Sequence, residues 1–188
     1  PDGERVVFSS LRNGPGNLYV KNADGTGVVE RLADAAESQI PSDWSTDDEA
    51  LVFYGGGELQ ILSSDGQTSV PLFETGFVEQ RPRISPDGRW VAYESDEDGD
   101  TDVYVRPFPD VDSGKWKVSS QGGAHPVWAP DGSELYYMAS GSMMAASITR
   151  EPTFSAGNSE VLFEGRYYLN GFFPSFDLSP DGSRFLMM

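Results

Sequence analysis

Apolar positions along this chain come in runs of three or four, rich in β-branched and aromatic residues, and polar, Gly-punctuated stretches separate them. That pattern reads as short strands joined by tight turns. The clearest copy is residues 84–108. Ser85-Pro86-Asp87-Gly88 predicts a type I turn, with Pro at the second position and Gly at the fourth. Trp90–Tyr93 then predicts a strand, Asp96–Asp100 is too polar to continue it, and Val103–Val105 predicts the next. A hairpin of that size is marginal alone in water, so the unit must stack on others.

The same grammar returns along the chain. Turn matches lie at Asp2-Gly3, at a degenerate Ser45–Asp48, and at Asp87-Gly88, Asp131-Gly132 and Asp181-Gly182, spaced 45, 40, 44 and 50 residues from Asp to Asp. After the turns come strands at Arg5–Phe8, Ala50–Phe53, Trp90–Tyr93, Glu134–Tyr137 and Arg184–Met187. A further strand follows at Leu18–Val20, Leu59–Leu62, Val103–Val105 and Met143–Ala146, then a weaker outer one at Glu30–Leu32, Val70–Leu72, Trp116–Val118 and Val161–Phe163. A short first strand ends at Trp44, Ile84, Trp128 and Leu178, and Pro41, Pro82, Pro126 and Pro174 mark where the chain comes in from a loop. For Trp44 and Trp128, packing between neighbouring sheets is the simpler role.

Four strands in each period of 40–50 residues is the signature of β-propeller blades. The expected fold class is all-β, a single propeller domain or partial propeller with about four four-stranded blades. They cover residues 1–39, 40–80, 81–124 and 125–172, with an incomplete blade over 173–188. The phase of the repeat reads as a fragment of a larger propeller. It also leaves strands at both ends to be satisfied, which points to a homodimer through the terminal strands.

Composition agrees with the pattern. In 188 residues, 21 Gly, 13 Pro and 12% aromatics favour many short strands over long helices. A formal net charge of −17 repels phosphate backbones and anionic lipid, so nucleic acid is not an expected partner. No apolar run reaches the length of a membrane span, so direct membrane insertion is not expected either. Cysteine is absent, which removes disulfides and thiolate chemistry.

The Ser-Pro-Asp-Gly turn, Trp90–Ser95 and Asp102–Val105 resemble the WD40-like repeat of TolB-type propeller proteins. Asp102–Pro109, Gly122-Gly123, Pro126–Trp128 and the closing 177–187 are similar, more narrowly, to the C-terminal propeller of bacterial serine/threonine protein kinases. The resemblance implies a binding or sensor module in a larger protein such as a receptor-type kinase, placed outside the cytoplasm of a bacterium. It also implies two alternatives, because such blades serve several functions. One is the propeller of a prolyl-oligopeptidase-like serine hydrolase whose catalytic domain lies elsewhere. The other is a metal-dependent lyase.

Candidate chemistry is sparse. Asp96–Asp102 has alternating oxygen ligands before Gly99, but the register puts Val105 where a calcium loop needs a bidentate Glu, so a hairpin loop is expected and no metal. His125 is the only histidine, no G-x-S-x-G elbow exists, and no Gly-rich loop matches a phosphate cradle. No catalytic residue and no cofactor are therefore expected. What remains is a channel mouth, formed by loops 33–39, 73–81, 120–125 and 164–173. There Arg81, Arg83, His125, Arg166, Tyr167 and Tyr168 are expected to gather and bind a protein, a peptide or a small ligand. Asp2, Gly3, Asp87, Gly88, Asp131, Gly132, Asp181 and Gly182 are expected to serve the turns alone.

Overall fold

The computed structural model describes residues 3–46, 50–63, 69–167 and 175–187, and all regular structure among them is antiparallel sheet. No helix there is long and apolar enough to cross a membrane. The chain divides into two compact units, Pro1–Gly76 and Phe77–Met188.

The first unit holds a three-stranded sheet in the order β1-β2-β3, built from β1 (Arg5–Ser10), β2 (Asn17–Asn22) and β3 (Glu30–Arg31). A four-stranded sheet follows, β4 (Gln39–Trp44), β5 (Ala50–Gly55), β6 (Glu58–Ser63) and β7 (Ser69–Pro71), paired in chain order. Leu18, Leu51, Phe53 and Leu62 form the core of this unit, with Trp44 packed at its side. The Arg5 guanidinium sits 5.2 Å from the Trp44 ring centre.

The second unit has two four-stranded sheets and a hairpin. The first sheet comprises β8 (Glu79–Ile84), β9 (Trp90–Ser95), β10 (Asp102–Pro107) and β11 (Trp116–Lys117). The second comprises β12 (Ala124–Trp128), β13 (Glu134–Ala139), β14 (Ser142–Thr149) and β15 (Ser155–Glu164). The hairpin is β16 (Phe176–Leu178) with β17 (Phe185–Met187). Trp128 is buried with Val103, Val105, Leu135, Ile148 and Phe154. Its Nε1–H donates to the Arg83 carbonyl at 2.9 Å, which ties β12 to β8. A second cluster joins Tyr136, Met138, Met143 and Phe176, with Phe163, Tyr167 and Phe185 against it.

The turns have the predicted form. Gly88, Gly132 and Gly182 donate their N–H groups to the carbonyls of Ser85, Ala129 and Ser179, each at 2.8 Å. Their φ angles are +71°, +69° and +71°, a region open to Gly and strained for β-branched residues. Asp87 and Asp181 each accept a hydrogen bond from the Ser two residues earlier, at 2.6 Å. Ala129 has no hydroxyl, and the Asp131 carboxylate there accepts from Ser133 instead, from its N–H and its Oγ. Gly3 has φ +76°, whereas Asp2 and the degenerate turn at 47–48 lie outside the described residues.

Three expectations are corrected. Pro41, Pro82 and Pro126 lie inside β4, β8 and β12, not ahead of them. Each strand carries a register shift at its proline, between Pro41 and Asp43, Gln80 and Arg83, and Ala124 and Val127. Pro82 and Pro126 fall in the unpaired stretch, so their missing N–H costs no sheet hydrogen bond, whereas Pro41 stays opposite Phe53 at the edge of its bulge. Outer strand β15 is ten residues long, against the three read from the sequence, because its first half is polar and exposed. The 96–102 segment is not wholly a solvated loop: Asp102 begins β10, is buried, and pairs with Lys117 at 2.7 Å and the Ser119 hydroxyl at 2.6 Å. Pro174 lies outside the described residues.

Candidate functional site

Glu94 is the residue around which the polar groups of the second unit converge. It sits in β9 opposite Gln80, at the point where β8 bulges, and is 3% exposed. A lone buried carboxylate is costly, and here two groups answer it. The Arg81 guanidinium, on the bulge of β8, forms an ion pair through Nη1 with Glu94 Oε2. The His125 backbone N–H, from the bulge of β12, donates to Glu94 Oε1 at 2.5 Å. One carboxylate therefore bridges three strands and two sheets.

The local backbone explains how these donors reach it. Arg81 and His125 both precede a proline and both adopt left-handed conformations, with φ +49° and +57°. The residue before a proline avoids the right-handed helical region, and the bulge removes it from the ladder. His125 can then point its N–H at Glu94 in place of a strand partner. A left-handed conformation is unusual for residues other than Gly, and it persists where the surroundings fix it.

Electrostatics follow from burial. Burial pushes the Glu94 carboxyl up, while the Arg81 charge and the His125 N–H act in the opposite direction. His125 is 6% exposed, and burial, helped by the Arg81 and Arg83 charges, lowers its pKa to about 4. It is neutral at pH 7. Its Nδ1 is buried and has no hydrogen-bond partner among the described residues. Arg83 is half-buried on β8, and no carboxylate pairs with it among the described residues.

The structure thus gathers Arg81, Arg83 and His125, but on strands and not on loops as the sequence suggests. The bulges explain the difference, since they give strand residues the conformational freedom of a loop. Arg166 is exposed. Tyr167 packs edge-on against Phe163, 6.0 Å between ring centres, in the cluster containing Phe176, and no contact joins it to His125 among the described residues. Tyr168 lies outside the described residues. Glu94 escapes the sequence reading, because at the end of Trp90–Ser95 it looks like the polar limit of a strand. The available signal is its place opposite Gln80, one residue from an Arg-Pro pair.

Elsewhere, charged groups pair locally. Lys117 meets Asp98 and Asp102 at 2.8 and 2.7 Å, and Lys115 meets Glu97 at 2.6 Å. Arg150 bridges to Asp87 at 2.8 Å, and Arg89 to Glu151 at 3.0 Å. Among the described residues, no group of three or more His, Asp or Glu side chains is disposed to hold a metal ion.

Similar proteins bear on the fold. An uncharacterized protein of Agrobacterium fabrum is 27% identical over 154 residues, 73% of this chain and 52% of that protein. The TolB homolog of Chlorobium chlorochromatii is 31% identical over 98 residues, 50% of this chain and 22% of its own length. TolB from Acinetobacter baumannii matches with a TM-score of 0.70 at 15% identity, over 100% of this chain and 48% of TolB. The fold is shared as well by an oligogalacturonate lyase solved with manganese, TM-score 0.54 at 14% identity, over 97% of this chain and 66% of the lyase. No protein-family profile matches the chain. The chain spans about half the length of the first of these relatives, and its sheets are blades of a TolB-like β-propeller.

Proposed function

We propose that this TolB-like chain is a non-catalytic recognition module, which binds a protein, a peptide or a small ligand beside the β8 and β12 bulges. It serves a larger bacterial protein outside the cytoplasm, such as a receptor-type serine/threonine kinase. The observation that carries the reading is the clasp at Glu94. A general base needs a lone pair within reach of a substrate proton, yet Glu94 is 3% exposed and is already bound by Arg81 and by the His125 N–H, so a substrate has little access to it. The single histidine, with its pKa near 4, is a poor proton shuttle at neutral pH. Basic groups gathered on a chain of charge −17 suit recognition better than proton transfer.

Two experiments test this. Purified chain should not turn over peptide anilides, esters or oligogalacturonate. Turnover that survives repurification and disappears in His125→Ala overturns the non-catalytic reading. Peptides selected by display on the immobilised chain should perturb the ring resonances of its one histidine. If none of the selected peptides does so, binding at the bulges is wrong. Homodimerisation belongs to the same reading, since β1 and β17 are end strands of their sheets and Leu186 on β17 is 73% exposed. Light scattering that reports a soluble monomer at every dilution removes that part.

A further inference from the structure

The larger sheets of the chain differ in how their last strands are finished. β3, β7 and β11 are two, three and two residues long. They also carry Arg31, Pro71 and Lys117 respectively. Very short strands, basic side chains and proline are common means of keeping a sheet edge from pairing with another chain. β15 has none of the three. It runs for ten residues, contains no Lys, Arg or Pro, and has β14 as its only strand partner among the described residues.

The second half of this strand is held in shape. Between its two register shifts, Ser159, Glu160 and Val161 face Ala146, Ala145 and Met144 in regular pairing. The buried Tyr137 donates its hydroxyl to Ser159 Oγ at 2.6 Å, which fixes this stretch to the sheet. The second shift leaves Leu162 without a partner of its own, since Val161 pairs with Met144 and Phe163 with Met143. Two residues on β15 then oppose one on β14, an arrangement that re-aims a side chain. Val161 and Leu162 are 53% and 46% exposed, so an apolar pair lies beside the free backbone groups that an edge strand presents.

Charge decides which strand fits. Glu160 and Glu164 flank the apolar pair, both are exposed, and neither meets a Lys or Arg among the described residues. A second copy of β15 fits poorly. Antiparallel self-pairing about Leu162 sets position 160 of each copy opposite position 164 of the other, carboxylate against carboxylate, on a chain of charge −17. A strand with Lys or Arg beside those carboxylates reverses the sign.

We infer that β15 is a docking edge, which takes an extended, basic and apolar segment of a partner protein as a further strand of its sheet. The backbone of the added strand supplies the hydrogen bonds, Val161 and Leu162 the apolar contact, and Glu160 and Glu164 the preference for basic side chains. β15 and β12 lie at opposite ends of one sheet, so this surface is separate from the bulges and does not rest on the recognition proposed there.

The probe is a short peptide of alternating Val and Thr with Lys at each end, blocked at both termini. One control carries Glu in place of Lys, and another is N-methylated throughout, which removes its ladder donors. Amide resonances of the folded full chain report binding. The Lys peptide should shift those of residues 159–164 at millimolar concentration and slow their exchange with solvent. The Glu peptide should bind about fivefold more weakly at low salt, and the N-methylated peptide should leave the resonances unmoved. Leu162→Lys, a change at an exposed position, should weaken the Lys peptide about tenfold. Glu160→Lys with Glu164→Lys should reverse the preference toward the Glu peptide, a gain that a misfolded variant would not show. Failure of the Lys peptide to shift these resonances overturns the inference, as do equal binding by either control, full binding by Leu162→Lys and an unchanged preference in the double variant. Shifts of the same resonances on concentrating the chain alone would assign the edge to a second copy and overturn the partner named here.

Discussion

Glu94→Ala is the perturbation that most directly probes the clasp. The Glu94 side chain is 4% exposed and that of Arg81 17%, so the pair is screened little by water. Removing the carboxylate leaves the Arg81 guanidinium largely buried without its main counter-ion and takes away the acceptor of the His125 N–H. Breaking a buried pair by removing one partner costs about 3–5 kcal/mol, and orphaning a buried donor adds about 1–3 kcal/mol. Arg81 has other contacts and can recover part of this, so the expected loss is about 3–4 kcal/mol. Glu94→Gln keeps an acceptor for His125 but loses the charge, and should cost roughly half as much. Replacing both partners, as Arg81→Met with Glu94→Leu, removes the uncompensated charge and should be less harmful than Glu94→Ala alone. Urea melts at pH 7 on the four proteins give these differences. A Glu94→Ala midpoint within about 1 kcal/mol of the parent, or a double variant worse than Glu94→Ala, would refute the reasoning.

Three other outcomes follow from the same geometry. Trp128→Ala empties the centre of a buried cluster and frees the Arg83 carbonyl, so denaturant melts should show a loss of about 3–5 kcal/mol. A variant as stable as the parent would mean that Trp128 is not core. Gly88→Val places a β-branched residue at φ +71° and should cost roughly 1–3 kcal/mol, whereas Gly88→Asn should cost less; equal losses would argue against backbone strain. For pH, the folded His125 pKa is about 4 against an ordinary 6.5, so the unfolded chain binds the extra proton first. Stability from this group is full above pH 6.5 and declines as pH falls from 6.5 to 4, by on the order of 2–3 kcal/mol. The difference between parent and His125→Gln isolates that slope, since Glu94, whose raised pKa works in the opposite sense, is common to both. A pH-independent difference would contradict it.

The repeat was legible because its signals are local. A Ser-Pro-Asp-Gly turn fixes its own backbone, and runs such as Leu51–Phe53 or Val103–Val105 are buried on both faces and read as apolar without interruption. The prolines misled for a physical reason. A proline normally breaks a ladder, and only tertiary pairing shows that residues 82 and 126 occupy positions where no N–H is required. Of the residues named from sequence, Arg81 and Arg83 stood out by their charge in an acidic chain and His125 as its only histidine. Glu94 was not, because one carboxylate among 30 acidic residues carries no mark until the register brings it to Arg81. Tyr167 was misplaced because nothing in sequence tells an aromatic that faces a ligand from one that covers Phe163.

Positions 81 and 125 behave as sockets. Because each stands outside the ladder, exchanging its side chain removes no strand-to-strand hydrogen bond. The left-handed backbone limits the choice: His, Asn, Asp and Gly fit easily, long or branched residues less so. Arg81 is the costlier occupant of the two, and its ion pair with Glu94 offsets the strain. Residue 125 is therefore the easier of the two to vary, with Asn as the first choice and with Pro126 and Glu94 left untouched.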